Sequence, residues 1–232
     1  SDLGDYDYLV NFAAESHVDN SIKDGKPFVK TNVEGTYNLL ELARKNKNLK
    51  KFVQISTDEV YGDLDMLNID ASFEQNFLYP SSYYSATKAS SDHLVRAWHS
   101  SYGLPILISN CSNNYGPWQL PEKLIPLVIY KALNNQKIPI YGEGENIRDW
   151  LYVEDHVDAI ISVLTKGKIG EKYCIGGNEE KTNNQIANFI CNYLDKVRPL
   201  DFSYKNLINY VDDRKGHDFR YAIETNKMNK SL

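Results

Sequence analysis

Three short apolar runs constrain this chain more than anything else in it: Tyr8-Leu-Val-Asn-Phe-Ala13, Lys51-Phe-Val-Gln-Ile55 and Leu104-Pro-Ile-Leu-Ile-Ser109. Runs of this length, bounded by charged or turn residues, are the pattern of strands buried on both faces. Two long helical patterns lie between them. The first spans Pro27 to about Asn46, with proline in its first turn and Val29, Val33, Tyr37, Leu40 and Ala43 along one side. The second spans Ser82 to about Tyr102 and stops at Gly103, a residue suited to a left-handed cap. Strand and helix thus alternate, which predicts an α/β fold: a doubly wound parallel sheet with right-handed crossovers. Segments 14–19 and 63–81 read as polar loops.

The second half alternates in shorter pieces. Helical spacing covers Lys123 to Asn134, Glu154 to Lys166 and Asn183 to Lys196, and short strands are expected at Ile138–Tyr141, Arg148–Val153 and Lys172–Ile175. At 232 residues with 42% hydrophobic content, the chain can bury a proper core. A net charge of −5 gives no support to nucleic-acid binding, and the basic run from Lys45 to Lys51 reads as a solvated helix end. Cys111, Cys174 and Cys191 show no paired or metal-ligand spacing, so buried thiols in a reducing, cytoplasmic compartment are expected, with no metal. No run is long enough to span a bilayer. Ser1 leads almost at once into a strand, so the chain is expected to be a fragment lacking its N-terminal part.

Chemistry concentrates where the apolar runs end. Lys51–Ile55 runs into Ser56-Thr57-Asp58-Glu59, and in open α/β sheets ligands sit beyond the carboxyl ends of the strands. Adjacent carboxylates can act as acid and base if their surroundings push their pKa values apart; the competing reading is a turn-capping pair. Tyr84 and Lys88 stand four apart at the start of the second long helix, and a nearby ammonium lowers a phenol's pKa toward that of a usable base. That spacing alone is common in a chain with 17 tyrosines; its position after the Thr-Asp-Glu loop is what raises it. Asn113 and Asn114 close the third strand and could read a nucleotide or sugar, or simply make a turn. Arg148, flanked by Ile147 and Trp150, would be costly to bury without an anion. Gly142-Glu-Gly144 is not a dinucleotide fingerprint, because a strand follows and the third glycine is missing.

Taken together these residues resemble the extended short-chain dehydrogenase/reductase family, and within it the branch that dehydrates dTDP-glucose. The resemblance rests on Asn11–Asp19, Thr31-Asn32-Val33 with Gly35-Thr36, Ser56–Gly62, Tyr84–His93, Asn110–Pro117, Pro121–Pro126, Ile147–Asp155 and Asp213–His217. It implies a partial Rossmann-type sheet and bound NAD. Tyr84 would take the proton of the sugar's 4-hydroxyl, Lys88 would lower its pKa and hold the nicotinamide ribose, and Thr57 would bond the C4 oxygen. Glu59 would remove the C5 proton while Asp58 protonates the departing C6 hydroxyl. Epimerases of the family lack this acid pair. The resemblance further places Ala13, Ala14, Ser16, Thr31, Ser56 and Asn114 at the NAD site. Ser16, Asn113, Lys123, Leu124, Pro139, Ile140 and Tyr141 would meet the sugar nucleotide, together with Arg148, Asn183, Asp213, Arg214 and His217. Lys215 stands where the family usually has proline, which loosens that loop.

The same resemblance divides the chain: residues 1–115, with 147–177 returning to them, belong to the NAD-binding part, and 116–146 with 178–232 to the sugar-nucleotide part. The family's N-terminal glycine-rich strand-turn-helix is not in this sequence, so weak cofactor binding and low turnover of the isolated chain are expected. A homodimer built from the two long helices is implied. Alternatives are a UDP-glucose dehydratase, an epimerase, or a catalytically idle binding fragment.

Overall fold

The computed structural model describes residues 4–64 and 71–232. Part of the expected 63–81 loop therefore lies outside the described residues. The chain opens with strand β1 (Tyr8–Asn11), a short helix α1 (Val18–Lys23), and a continuous helical run. That run is α2 (Lys26–Phe28), a π segment (Val29–Glu34) and α3 (Gly35–Lys45). Strand β2 (Lys51–Thr57) leads into a 3-10 turn (Asp58–Tyr61), and α4 (Tyr83–Tyr102) precedes β3 (Ile106–Cys111) and β4 (Asn113–Tyr115). Helix α5 (Leu124–Leu133), β5 (Ile138–Tyr141), β6 (Ile147–Tyr152), α6 (Val153–Lys166) and β7 (Lys172–Ile175) follow. The chain ends with β8 (Glu180–Thr182), α7 (Asn183–Val197), a 3-10 turn (Tyr204–Leu207), β9 (Ile208–Val211) and α8 (Asn226–Ser231).

The main sheet has the order β1-β2-β3-β7 and is parallel throughout. Its register sets Val10 beside Val53 and Val53 beside Leu107, so the apolar runs of the sequence stack across the sheet. One face packs Leu107, Leu151, Ile160 and Val163; the other packs Leu40, Ala43, Phe52, Val95 and Ile106. A second core joins α5 and α7 to β5, with Val128, Ile138, Ile140, Cys191 and Tyr204 buried together. Strand β5 pairs in parallel with β9, and β6 bridges β4 and β8. The C-terminal stretch crosses back: Ser72 bridges Ile223, and Met228 and Leu232 lie against the cluster around Leu107. No helix among the described residues is long and apolar enough to cross a membrane.

Two local readings change. The 14–19 loop is cut short by α1, which begins at Val18 with His17 as its cap. The helix from Lys26 to Lys45 does not turn its Val29-Val33-Tyr37 stripe inward; Val29 and Tyr37 are exposed, while Phe28, Asn32, Thr36, Leu40 and Ala43 are buried. The π turns account for this, since an extra residue per turn rotates the helix faces relative to an α pattern. Asn32 is the residue they deliver inward. Its side chain donates to the Glu15 carbonyl (3.0 Å) and to Thr87 Oγ1 (2.9 Å) and accepts from Glu15 N (2.9 Å). The segment after β1 is thereby tied to α4. Asn32→Ala leaves those buried groups unpaired and should cost about 1–3 kcal/mol of stability, measurable by urea denaturation.

Candidate functional site

Strand β2 delivers its last residues to the point where the sheet ends and the turn begins. Thr57 caps the 3-10 turn by accepting from Glu59 N (3.3 Å), and its hydroxyl donates to Asp58 Oδ1 (3.2 Å). Gly62 closes the turn at φ +89; a Cβ there would come within 2.3 Å of the Tyr79 carbonyl oxygen, so only glycine fits. Asp58 is 3% exposed, and its Oδ2 has no hydrogen-bond partner among the described residues. Burial, then the neighbouring Glu59 charge, pushes its carboxyl up to about 8. The Glu59 carboxyl is raised as well, by burial first, although the charges of Arg148, Arg214 and Lys123 pull it back. The two acids therefore differ in surroundings: burial favours the protonated form of Asp58, and Glu59 faces cations.

Helix α4 opens with a reciprocal cap between Ser82 and Ser85, which fixes Tyr84 in its first turn. Lys88, 4% exposed, donates to the Ile55 carbonyl (2.6 Å). Burial and the nearby Glu59 raise the Tyr84 phenol well above its ordinary value, opposed by hydrogen bonding with Thr57. In this geometry the Lys88 ammonium is turned to the strand, against the Ile55 carbonyl.

Beside these residues lies a cavity of about 210 Å³, walled by both packing units. Ser16, Asn113, Asn114, Lys123, Leu124, Pro139, Ile140, Tyr141, Arg148, Asn183, Arg214 and His217 all line it, and Glu59 reaches it from the strand end. Asp213 stands behind, bonded to His217 Nδ1 (2.6 Å). Thr57 lies outside the lining, and so do Ala13 and Ala14 after β1, Thr31 in the π turns and Ser56 near the end of β2. Lys123 donates to the Ser16 carbonyl (3.1 Å) across the cavity. Arg214 pairs with Asp19 at 3.5 Å while its Nε stays buried and without a partner among the described residues.

The direct partners of buried Arg148 among the described residues are neutral groups. Its guanidinium donates to the carbonyls of Ile147 (2.7 Å), Phe219 (3.2 Å) and Asp218 (2.9 Å) and stacks over Tyr221 at 4.5 Å. It adds positive charge to the cavity without needing a phosphate to be stable there. Asp19, Gln119, Trp150, Asp92 and His156 were not singled out from the sequence. Asp19 accepts from Tyr141 (2.9 Å), and His156 shares a 2.7 Å bond with Asn114. Only Asp92 had a legible signal, one helical turn beyond Lys88. Among the described residues no cluster is arranged to hold a metal ion.

A parallel sheet backed by a helix that opens on Tyr84 and Lys88, with a second unit closing a cationic cavity over its strand ends, is the architecture of the extended short-chain dehydrogenases/reductases. Residues 4–232 match the family model described as GDP-mannose 4,6 dehydratase, and the chain belongs to that family. It is 54% identical over 242 residues to a dTDP-glucose 4,6-dehydratase of Escherichia coli, covering 97% of this chain and 67% of the relative. A solved dTDP-glucose 4,6-dehydratase from Streptomyces venezuelae with NAD and DAU bound superposes with a TM-score of 0.90 at 42% identity, covering 97% of this chain and 67% of that one. A UDP-glucuronic acid 4-epimerase from Bacillus cereus gives a TM-score of 0.86 at 30% identity, covering 97% and 69%.

Asp58 also makes a stability prediction. Its folded pKa, about 8, lies above the ordinary carboxylate value, so its contribution is fully present in acid and is lost as pH rises toward 8. The melting temperature of Asp58→Asn relative to the unmutated protein should climb between about pH 4 and 8 and then level off. Parallel thermal melts across that range check it.

Proposed function

We propose that this chain is an NAD-dependent hydro-lyase that converts dTDP-glucose to dTDP-4-keto-6-deoxyglucose and water. The observation that carries the reading is the unlike pair Asp58 and Glu59 at the end of β2. Elimination across neighbouring carbons needs an acid that is protonated and a base that is not, held together. Asp58, with its proton retained by burial, is suited to protonate the departing C6 hydroxyl. Glu59, facing the cavity and its cations, is suited to take the C5 proton.

The cofactor fits the residues present. Two of Lys88's three ammonium hydrogens have no partner among the described residues, and Asp58 Oδ2 is likewise unpaired at the strand ends. Lys88, Tyr84, Ser56 and Thr31 would hold the nicotinamide half, with the Ala13-Ala14 segment alongside and Ser16 and Asn114 at the edge of the cavity. NAD, when bound, accepts the sugar's hydride and returns it. Thr57 orients the C4 oxygen, and Tyr84 receives the 4-hydroxyl proton. Because Tyr84 is buried beside Glu59, that transfer requires a cation close to the phenol, which the unpaired ammonium hydrogens of Lys88 can supply.

Lys123 and Arg214, with Arg148 adding field, suit the diphosphate, and Asp213 supports them through His217. Leu124, Pro139, Ile140, Tyr141, Asn113 and Asn183 supply walls of mixed polarity for the base and sugars. The unit built on β1-β2-β3-β7 would carry the cofactor, and the unit built on α5, α7 and β5 the nucleotide. The exposed face bearing Val29, Tyr37, Tyr83 and Tyr102 fits self-association, which sedimentation of the chain would test by a dimer mass.

Supplying dTDP-glucose and NAD to the chain should yield a 4-keto-6-deoxy product, and the same assay with UDP-glucose should yield much less. Glu59→Gln should let reduced-nicotinamide absorbance build while product formation falls at least about 100-fold. Product without accumulation in that variant would reject Glu59 as the base.

A further inference from the structure

Three turns of α4 place Tyr84, Lys88 and Asp92 in line on one side of the helix, at successive steps of four residues. The third has no part in the chemistry above, yet it is among the most buried charged groups in the protein, at 1% exposure. Its Oδ2 accepts from Ser56 Oγ at 2.8 Å and from Asn110 Nδ2 at 3.3 Å. Ser56 directly precedes Thr57 in β2, and Asn110 directly precedes Cys111, the last residue of β3. Asn110 Nδ2 also donates to the Thr57 carbonyl (3.1 Å), and Asn110 Oδ1 accepts from Tyr61 at 3.3 Å. One carboxylate oxygen therefore collects donors from both strand ends, while Oδ1 has no partner among the described residues.

A buried acid with half its acceptors unused is costly unless its charge serves something nearby. The cation one turn away is Lys88, itself buried and, among the described residues, with a single hydrogen bond, to a neutral carbonyl. Burial works against the charge of each, and each is favoured by the other's. Lys172 from β7 also faces Asp92, and Cys111 from β3 faces Lys88, but neither supplies Lys88 with a fixed negative charge. Charge coupling across a dry interior is much stronger than at a surface.

We propose that Asp92 is a positioning residue for the reaction: its carboxylate holds Ser56 and Asn110 at the strand ends and keeps the Lys88 ammonium charged one turn from Tyr84. The proposal rests on the dehydratase reading for its consequence in turnover, but not for its electrostatics. Asp92 acts through Lys88 and Thr57 and touches neither sugar nor cofactor.

The test combines titration with kinetics. With carbon-13 at lysine Cε and the signal assigned through Lys88→Arg, the Lys88 midpoint in Asp92→Asn should fall by about one pH unit or more. At fixed neutral pH, kcat should drop roughly tenfold while KM for the sugar nucleotide stays within about twofold. A Lys88 midpoint that stays put in folded Asp92→Asn overturns the proposal. Should that variant not fold, carbon-13 at the aspartate carboxyl of the unmutated protein decides: a carboxylate at Asp92 near neutral pH is expected, and a neutral acid there overturns it. If neither protein turns over dTDP-glucose, the dehydratase reading fails, and the Lys88 titration still judges Asp92.

Discussion

Helix α4 is seated on the sheet by buried polar bonds, and the site depends on that seating. Lys88 reaches the Ile55 carbonyl, Asp92 accepts from Ser56, and Asn32 joins α4 to the segment after β1 through Thr87. Ser91 adds a 2.5 Å bond to the Asn32 carbonyl. Apolar packing alone tolerates sliding and repacking, whereas directional bonds in a low-dielectric interior admit one arrangement and penalise the rest. With α4 fixed in this way, Tyr84 is held within reach of Thr57, and the acids that follow are held at the same edge.

The division between Asp58 and Glu59 follows from that placement. They are neighbours in sequence and nearly alike in chemistry, yet one is buried beside Thr57 with an oxygen unpaired among the described residues, while the other meets a cavity carrying Lys123, Arg148 and Arg214. The turn that separates them exists because Thr57 caps it and Gly62 can adopt the backbone that closes it. Nothing in the side chains themselves assigns one as acid and the other as base. Their surroundings are what suits each to its proposed role.

Arg148 shows the same logic in reverse. Its burial invited an anion as the explanation, and the structure supplies three carbonyls and an aromatic ring instead. Arg214, which the resemblance set against the sugar nucleotide, lines the cavity, and its Nε has no partner among the described residues.

The sequence by itself determined the parallel sheet and most of its helices, because strands buried on both faces and amphipathic helices leave patterns at short range. It also marked Thr57, Asp58, Glu59, Tyr84 and Lys88, since strand ends and helix starts are where such residues gather. It placed Leu40 and Ala43 of the Lys26–Lys45 run inward correctly but misjudged Val29 and Tyr37, because a π segment rotates the faces for the sake of Asn32, whose partners are Glu15 and Thr87. It gave no sign of β4, β8 or β9, three- and four-residue strands defined by partners far along the chain. The upward shift of the Asp58 carboxyl, the turning of Lys88 toward β2, and the meeting of Asp92 with two strand ends came from the tertiary structure alone. Each depends on burial and on charges brought close from distant segments, quantities that no local stretch of sequence contains.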